Sequence, residues 1–218
     1  DLTNHPVLEH VAEYGKPMIV STGMSTLDEV TDAFRVIRKA NPDVPLALLH
    51  CVSVYPASID TVNLRAIRTL CEAFPVPVGF SDHTTDVEMP ALAVAAGAEL
   101  VEKHFTLDKT MAGPDHKASL EPAELDAAVS LVRDAASALG DGRKEPIPAE
   151  AEIKSVSRKG LYAATDLDAP DTITAEDIAI KRPPAGLSPT RYDEIIGKTL
   201  VRDIGRDEPL TADCFEEL

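Results

Sequence analysis

The chain has 218 residues, 44% of them hydrophobic and 27% charged, with a formal net charge of -16, which leaves room for one large domain or a medium one with a small one. So acidic a balance, with no concentrated basic stretch, argues against a nucleic-acid partner but allows a small anionic substrate held by local Lys, Arg or helix amino termini. Apolar runs are broken by Glu, Lys or Pro before the roughly 18 residues a bilayer span requires and no charged-then-apolar leader opens the sequence, so a cytoplasmic protein without membrane attachment is expected.

Residues 5–14 (HPVLEHVAEY) predict a helix. A strand follows over 17–22, and after Gly23 a second helix starts near Thr26, where Thr26 and Glu29 form a capping box and Leu27, Val30, Ala33, Phe34 and Ile37 give the apolar face. Asn41-Pro42 ends that helix. Residues 46–52 (LALLHCV) are almost continuously apolar, the pattern of a strand covered on both faces. A rim loop over 53–58 leads to a helix capped by Asp60 and running to Ala73. The third strand takes 76–82, Thr85 with Glu88 caps the next helix, which stops at Gly97, and the fourth strand takes 99–105. A loop over 106–119 precedes a helix over 122–139 closed by Gly140. Four strand-then-helix units of similar size predict half of a (β/α)8 barrel rather than a doubly wound sheet.

After Gly140 the composition changes. Residues 141–154 are polar and contain Pro146 and Pro148, which predicts a linker. From residue 155 short alternating pieces (GLYAAT, DTITAEDIAIKRP, TLVRDI), with a helical turn at PTRYDEII, predict a small β-rich module with its own core. Three widely spaced cysteines, Cys51, Cys71 and Cys214, predict free thiols in a reducing compartment. Cys51 beside His50 admits a nucleophile with its base, but a small buried hydrophobe is the preferred reading.

His83 and His104 each end an apolar run. If both runs are adjacent parallel strands, the two imidazoles lie side by side on the rim where such folds place their active sites. Alternation then points Gly79, Ser81 and His83 inward with Leu100, Glu102 and His104, and sends Val78, Phe80, Val101, Lys103 and Phe105 outward. Two imidazoles above Ser81, with Asp115 offered by the next loop, suit a borderline divalent ion such as Mn²⁺ with open coordination positions. A polar rim in which the histidines only hydrogen-bond stays open on these residues alone, as does a turn-forming role for Asp115 after Gly113-Pro114. Tyr55 in the rim loop is placed either to hydrogen-bond a substrate or simply to make a Tyr-Pro turn. Lys103 as a Schiff-base lysine is disfavoured by its outward parity. Arg182, before two prolines, is either solvated or a clamp for a carboxylate or sugar.

The motifs STGMST, LLHCVSVYPAS, GFSDHT, EKHFT, GPDHKASLEP and KRP, in this order and spacing, resemble the sialic acid synthase family, which includes N-acetylneuraminate synthase and its legionaminic and pseudaminic acid relatives. The resemblance implies the C-terminal half of a (β/α)8 barrel over residues 1–140 and an antifreeze-like (SAF, β-clip) domain over 155–218. It implies condensation of phosphoenolpyruvate with an N-acylated aminosugar, dependent on a divalent metal, Mn²⁺ first with Mg²⁺ or Co²⁺ as substitutes. It makes His83 and His104 the metal ligands, Ser21, Ser53 and Ser81 the phosphoenolpyruvate-binding serines, and Tyr55 and Asp115 groups near the metal and sugar. Ser53 stands where some members have Asn, and the aromatic some carry near Val156 is absent. Arg182 matches an arginine that one subunit inserts into the other's site, which implies a domain-swapped homodimer. The sequence also begins at the helix before the fifth barrel strand, so the first half-barrel, with its acidic residue and phosphate-binding lysines, is expected in a longer protein. The competing expectation is a catalytically incomplete sugar-binding or assembly module.

Overall fold

The computed structural model describes residues 1–216 and 218. It divides into two compact units, Asp1–Gly142 and Arg143–Leu218.

In the first unit, helix α1 (His5–Glu13) precedes four strand-helix repeats: β1 (Met18–Ser21), α2 (Leu27–Ala40), β2 (Leu46–Cys51), α3 (Arg65–Ala73), β3 (Val78–Asp82), α4 (Met89–Ala95), β4 (Val101–Lys103) and α5 (Pro122–Leu139). The strands form one parallel sheet in the order β1-β2-β3-β4, the curled sheet of a partial (β/α) barrel, as expected. Helix α2 starts where its capping box stands: Thr26 Oγ1 accepts from the Glu29 amide at 3.3 Å and the Glu29 carboxylate accepts from the Thr26 amide at 2.7 Å. Its buried face is Val30, Ala33 and Ile37, packed on Met18, Leu46 and Leu48 in the core between helices and sheet.

Sheet register explains Gly79. On the inward face Gly79 lies opposite Leu49, and a Cβ there would come within 2.5 Å of both the Leu100 carbonyl oxygen and Leu49 Cδ2. Two leucines close over a position with no room for a methyl group. Gly79→Ala is therefore expected to destabilise this unit by about 1–3 kcal/mol through overpacking, read as a lower urea midpoint. An unchanged midpoint would mean the strands separate without cost.

Local differences from expectation have local causes. Leu27 is 42% exposed because it is the first residue of its helix, outside the buried stripe. Asp60 does not cap α3. It accepts a hydrogen bond from Ser58 in a 3₁₀ turn (Ile59–Thr61), and the chain reverses at Asn63, whose φ is 49°, before α3 begins at Arg65. Thr85 and Glu88 form no side-chain cap, and α4 begins at Met89 with Pro90 in its first turn. The fourth strand is shorter than residues 99–105, because β4 ends where β3 ends, at the Asp82-Lys103 pair.

In the second unit, a 3₁₀ turn (Pro148–Glu150) and helix α6 (Ala151–Ser157) occupy the second half of the stretch predicted as linker, the Glu150 carboxylate accepting from the Ile147 amide. Strands β5 (Gly160–Ala163) and β6 (Ile178–Lys181) pair antiparallel. Helix α7 (Tyr192–Ile195) is the predicted helical turn. TLVRDI makes only isolated bridges, Thr199 to Thr172, Leu200 to Phe215 and Ile204 to Leu167, rather than a strand. These pieces enclose Leu161, Ile173, Ile195, Leu200, Ile204 and Leu210, all nearly inaccessible. No helix among the described residues is long and apolar enough to cross a membrane.

Candidate active site

The sheet's inward rows run in register. Ser21 lies with Leu49 and Gly79; the next row towards the carboxyl ends is Cys51, Ser81 and Glu102; His83 and His104 follow. The outward row, Val78, Phe80 and Asp82 with Val101 and Lys103, packs towards the helices, as the alternation predicts.

The histidines are brought together. His83 and His104 have ring centroids 5.3 Å apart at 69°, and the Tyr55 ring lies 4.0 Å from His83 and 5.6 Å from His104. His83 is 5% exposed, and its Nδ1 is 2.7 Å from the Val52 carbonyl oxygen. A carbonyl only accepts, so Nδ1 donates to it, an arrangement that in the neutral imidazole leaves the lone pair on Nε2. This is the arrangement in which a metal-ligating histidine is oriented by its other nitrogen, and it fits the imidazole half of a divalent site. Among the described residues no cluster of three or more His, Cys, Asp or Glu is arranged to hold a metal ion, and His83 and His104 stand as a pair of imidazoles.

The remaining predicted residues fall at different depths. Ser81 is buried and its hydroxyl donates to Glu102 Oε1 at 2.7 Å. Ser53 Oγ lies 3.9 Å from Cys51 Sγ, close against Gly23, where a Cβ would overlap the serine hydroxyl. Ser21 is exposed at the end of β1, in the row below Ser81. The His83 carbonyl accepts from the Ala57 amide at 2.8 Å, which fixes the loop carrying Tyr55. Partial burial, and then the charges of Cys51, Asp115 and Glu102, push the Tyr55 phenol above the ordinary tyrosine range, so it stays a donor at neutral pH. Asp115 is exposed at the start of a 3₁₀ turn (His116–Ala118), its backbone carbonyl accepting from Ser119 Oγ at 2.8 Å, and a 2.7 Å contact between Thr106 Oγ1 and His116 Nδ1 ties the turn to the end of β4. Arg182 belongs to the second unit, where it is exposed after β6, next to Lys181, which pairs with Asp207.

The Cys51-His50 dyad is not formed. His50 points to the outer face, with Nε2 2.8 Å from the Val62 carbonyl oxygen and its ring stacked on Phe80. Cys51 points inward, 3.8 Å from His83 Nδ1, and burial pushes its thiol pKa up. Cys51 and Cys214 are buried and Cys71 is exposed, so iodoacetamide at neutral pH should alkylate Cys71 first, as read by peptide mass spectrometry. Faster labelling of Cys51 would mean that the inner face opens in solution.

Two features were not given roles from the sequence. Glu102, placed inward by alternation, is the carboxylate that holds Ser81. Lys103 is the only lysine or arginine in β1 to β4, and it lies on the outer face, its Nζ 2.7 Å from Asp82 Oδ2. The inner face therefore presents imidazoles, hydroxyls and carboxylates. A cleft of about 550 Å³ lies between α2 and α3, but the polar groups at its floor already have partners: His50 the Val62 carbonyl, and Thr22 the Leu49 carbonyl.

A family model described as the NeuB family matches residues 1–144, and one for the SAF domain matches residues 158–216. The chain is 41% identical over 209 residues to the N,N'-diacetyllegionaminic acid synthase of Campylobacter jejuni, covering 95% of this chain and 63% of that protein. It is 42% identical over 220 residues to the enzyme of the same name from Legionella pneumophila, covering 99% and 62%. A crystal structure of the N-acetylneuraminic acid synthetase of Leptospira borgpetersenii superposes with a TM-score of 0.66 at 40% identity, over 70% of this chain and 53% of that one. The chain thus spans about three fifths of the length of these curated relatives.

Proposed function

The chain belongs to the NeuB family, with a SAF domain at its carboxyl end, and from that premise we propose that the protein carrying it condenses phosphoenolpyruvate with an N-acylated aminosugar to give a nonulosonic acid and phosphate. The observation that carries the reading is the pair of adjacent imidazoles, His83 fixed by the Val52 carbonyl so that Nε2 is available, above a buried serine and beside a tyrosine. The two relatives named as N,N'-diacetyllegionaminic acid synthases make a diacetamido sugar the first substrate to test.

His83 and His104 would hold Mn²⁺ (Mg²⁺ or Co²⁺ substituting), which when bound supplies Lewis acidity at the sugar's aldehyde oxygen. The chain's own groups bind and orient. The Ser53 and Ser21 hydroxyls donate to phosphoenolpyruvate, and Ser81, below the histidines on the inward face, does so by turning its proton from Glu102 Oε1 to the substrate. Tyr55, kept protonated, donates from the rim, and Asp115 accepts from sugar hydroxyls. The double-bond pair of phosphoenolpyruvate forms the new bond from its methylene carbon to the aldehyde carbon, water adds at the phosphate-bearing carbon and gives one proton to the former aldehyde oxygen, and phosphate leaves with its C–O bond pair as the added hydroxyl gives up its proton and that carbon becomes a ketone. The anionic substrate meets no lysine or arginine from β1 to β4, so its charge would have to be balanced from outside these strands. Arg182, in a domain-swapped homodimer, is the proposed cation from the second unit.

The complete protein should release phosphate only when both substrates are present, lose turnover to a chelator and regain it with Mn²⁺. Borohydride with substrate should trap no covalent adduct, because Lys103 is held by Asp82 on the other face of the sheet. Turnover that survives chelation and is trapped by borohydride would replace this reading with a Schiff-base aldolase.

A further inference from the structure

The last rung of the β3-β4 ladder is Asp82 opposite Lys103. His83 and His104, each the first residue after its strand, stand one step past it, so the ladder does not fix their separation. On the far side of the sheet from the imidazoles, the Lys103 and Asp82 side chains are 5% and 0% exposed and 2.7 Å apart. Asp82 Oδ1 accepts from the Thr84 amide at 2.8 Å, and Lys103 Nζ also donates to the Thr84 carbonyl oxygen, with Thr84 Oγ1 at 3.4 Å. One ammonium thus grips the residue before His83 and the residue after it, and is itself attached to the residue before His104.

A dry ion pair is weak evidence of a stability role, since an apolar pair of similar volume often serves a core as well. Its geometry here does something an apolar pair cannot: it binds both flanks of one histidine to the neighbour of the other. We infer that Lys103, through Asp82 and Thr84, is a positioning residue that sets the spacing of the His83-His104 pair for its metal. The inference rests on the metal reading of that pair. Lys103 makes no contact with substrate in this role and is not a catalytic residue.

The test is Mn²⁺ affinity of the complete protein, measured by electron paramagnetic resonance of free Mn²⁺, with thermal unfolding of the metal-free protein recorded beside it. Lys103→Met leaves a buried carboxylate alone and is expected to lower both. The Asp82→Asn, Lys103→Met double variant removes both charges, so its unfolding should return towards wild type while Mn²⁺ affinity stays about 10- to 100-fold weaker, the range for lost support around a metal ligand. Lys103→Arg, which keeps the cation but alters its reach, should fall between and covers the case of a double variant that does not fold. A double variant, or failing that Lys103→Arg, with wild-type Mn²⁺ affinity would make the pair purely structural. His83→Ala separates the two ideas: its loss of Mn²⁺ binding beside such a result overturns the positioning role alone, whereas unchanged binding in His83→Ala removes the metal reading and the inference with it.

Discussion

His83→Ala and His104→Ala, each made in the complete protein, are expected to lower kcat/KM by roughly 10³-fold, the scale of losing several kcal/mol of Lewis-acid stabilisation at the transition state. Both rings should matter because they are the two imidazoles brought together at the proposed site, 5.3 Å apart just past the ends of neighbouring strands. His83→Ala also frees the Val52 carbonyl from its 2.7 Å donor and removes the ring on which Tyr55 packs, so it should loosen the 53–58 loop and raise the KM for substrate as well. His104→Ala leaves the Val52 bond intact and should act mainly on kcat. The double variant should be no worse than the weaker single variant, since on the proposed reading the two imidazoles hold one ion and such effects are not additive. Full activity in the double variant, with its fold intact by near-ultraviolet circular dichroism, would dispose of the metal assignment.

Much of this arrangement was legible in the sequence because it depends on period and punctuation. A continuous apolar run such as LALLHC can only be a doubly covered strand or a buried helix segment, and Asn41-Pro42 before it with the rim loop after it limits the length. Alternation then fixes which of Ser81, Asp82, Glu102 and Lys103 share a face, and the structure keeps that parity. Helix starts were less legible. A Thr with Glu three residues on, or an Asp ahead of an apolar run, caps a helix only if the backbone turns there, and after β2 and β3 Ser58, Asn63 and Thr84 build the rim instead. Partners across strands were least legible. Nothing local to Asp82 says that its carboxylate meets Lys103, which is 21 positions away, because that contact exists only once the register is set.

Lys103→Met alone is expected to destabilise the protein by about 3–5 kcal/mol, the usual consequence of removing one partner of a buried pair. The magnitude follows from what is left behind. Asp82 is fully buried, and its Oδ2 would keep neither solvent nor its cation, while the Thr84 carbonyl would lose its charged donor. The Thr84 amide still donates to Oδ1, but one neutral donor does not replace an ammonium in a dry site. Deleting an exposed pair such as Arg68-Glu72, with side chains 80% and 65% accessible, should by contrast change stability by less than about 1 kcal/mol. The comparison is read as the difference in urea midpoints at constant slope. Equal, small shifts for the two pairs would mean that water reaches Asp82 in solution, and β3 and β4 would then be held at their ends by the backbone alone.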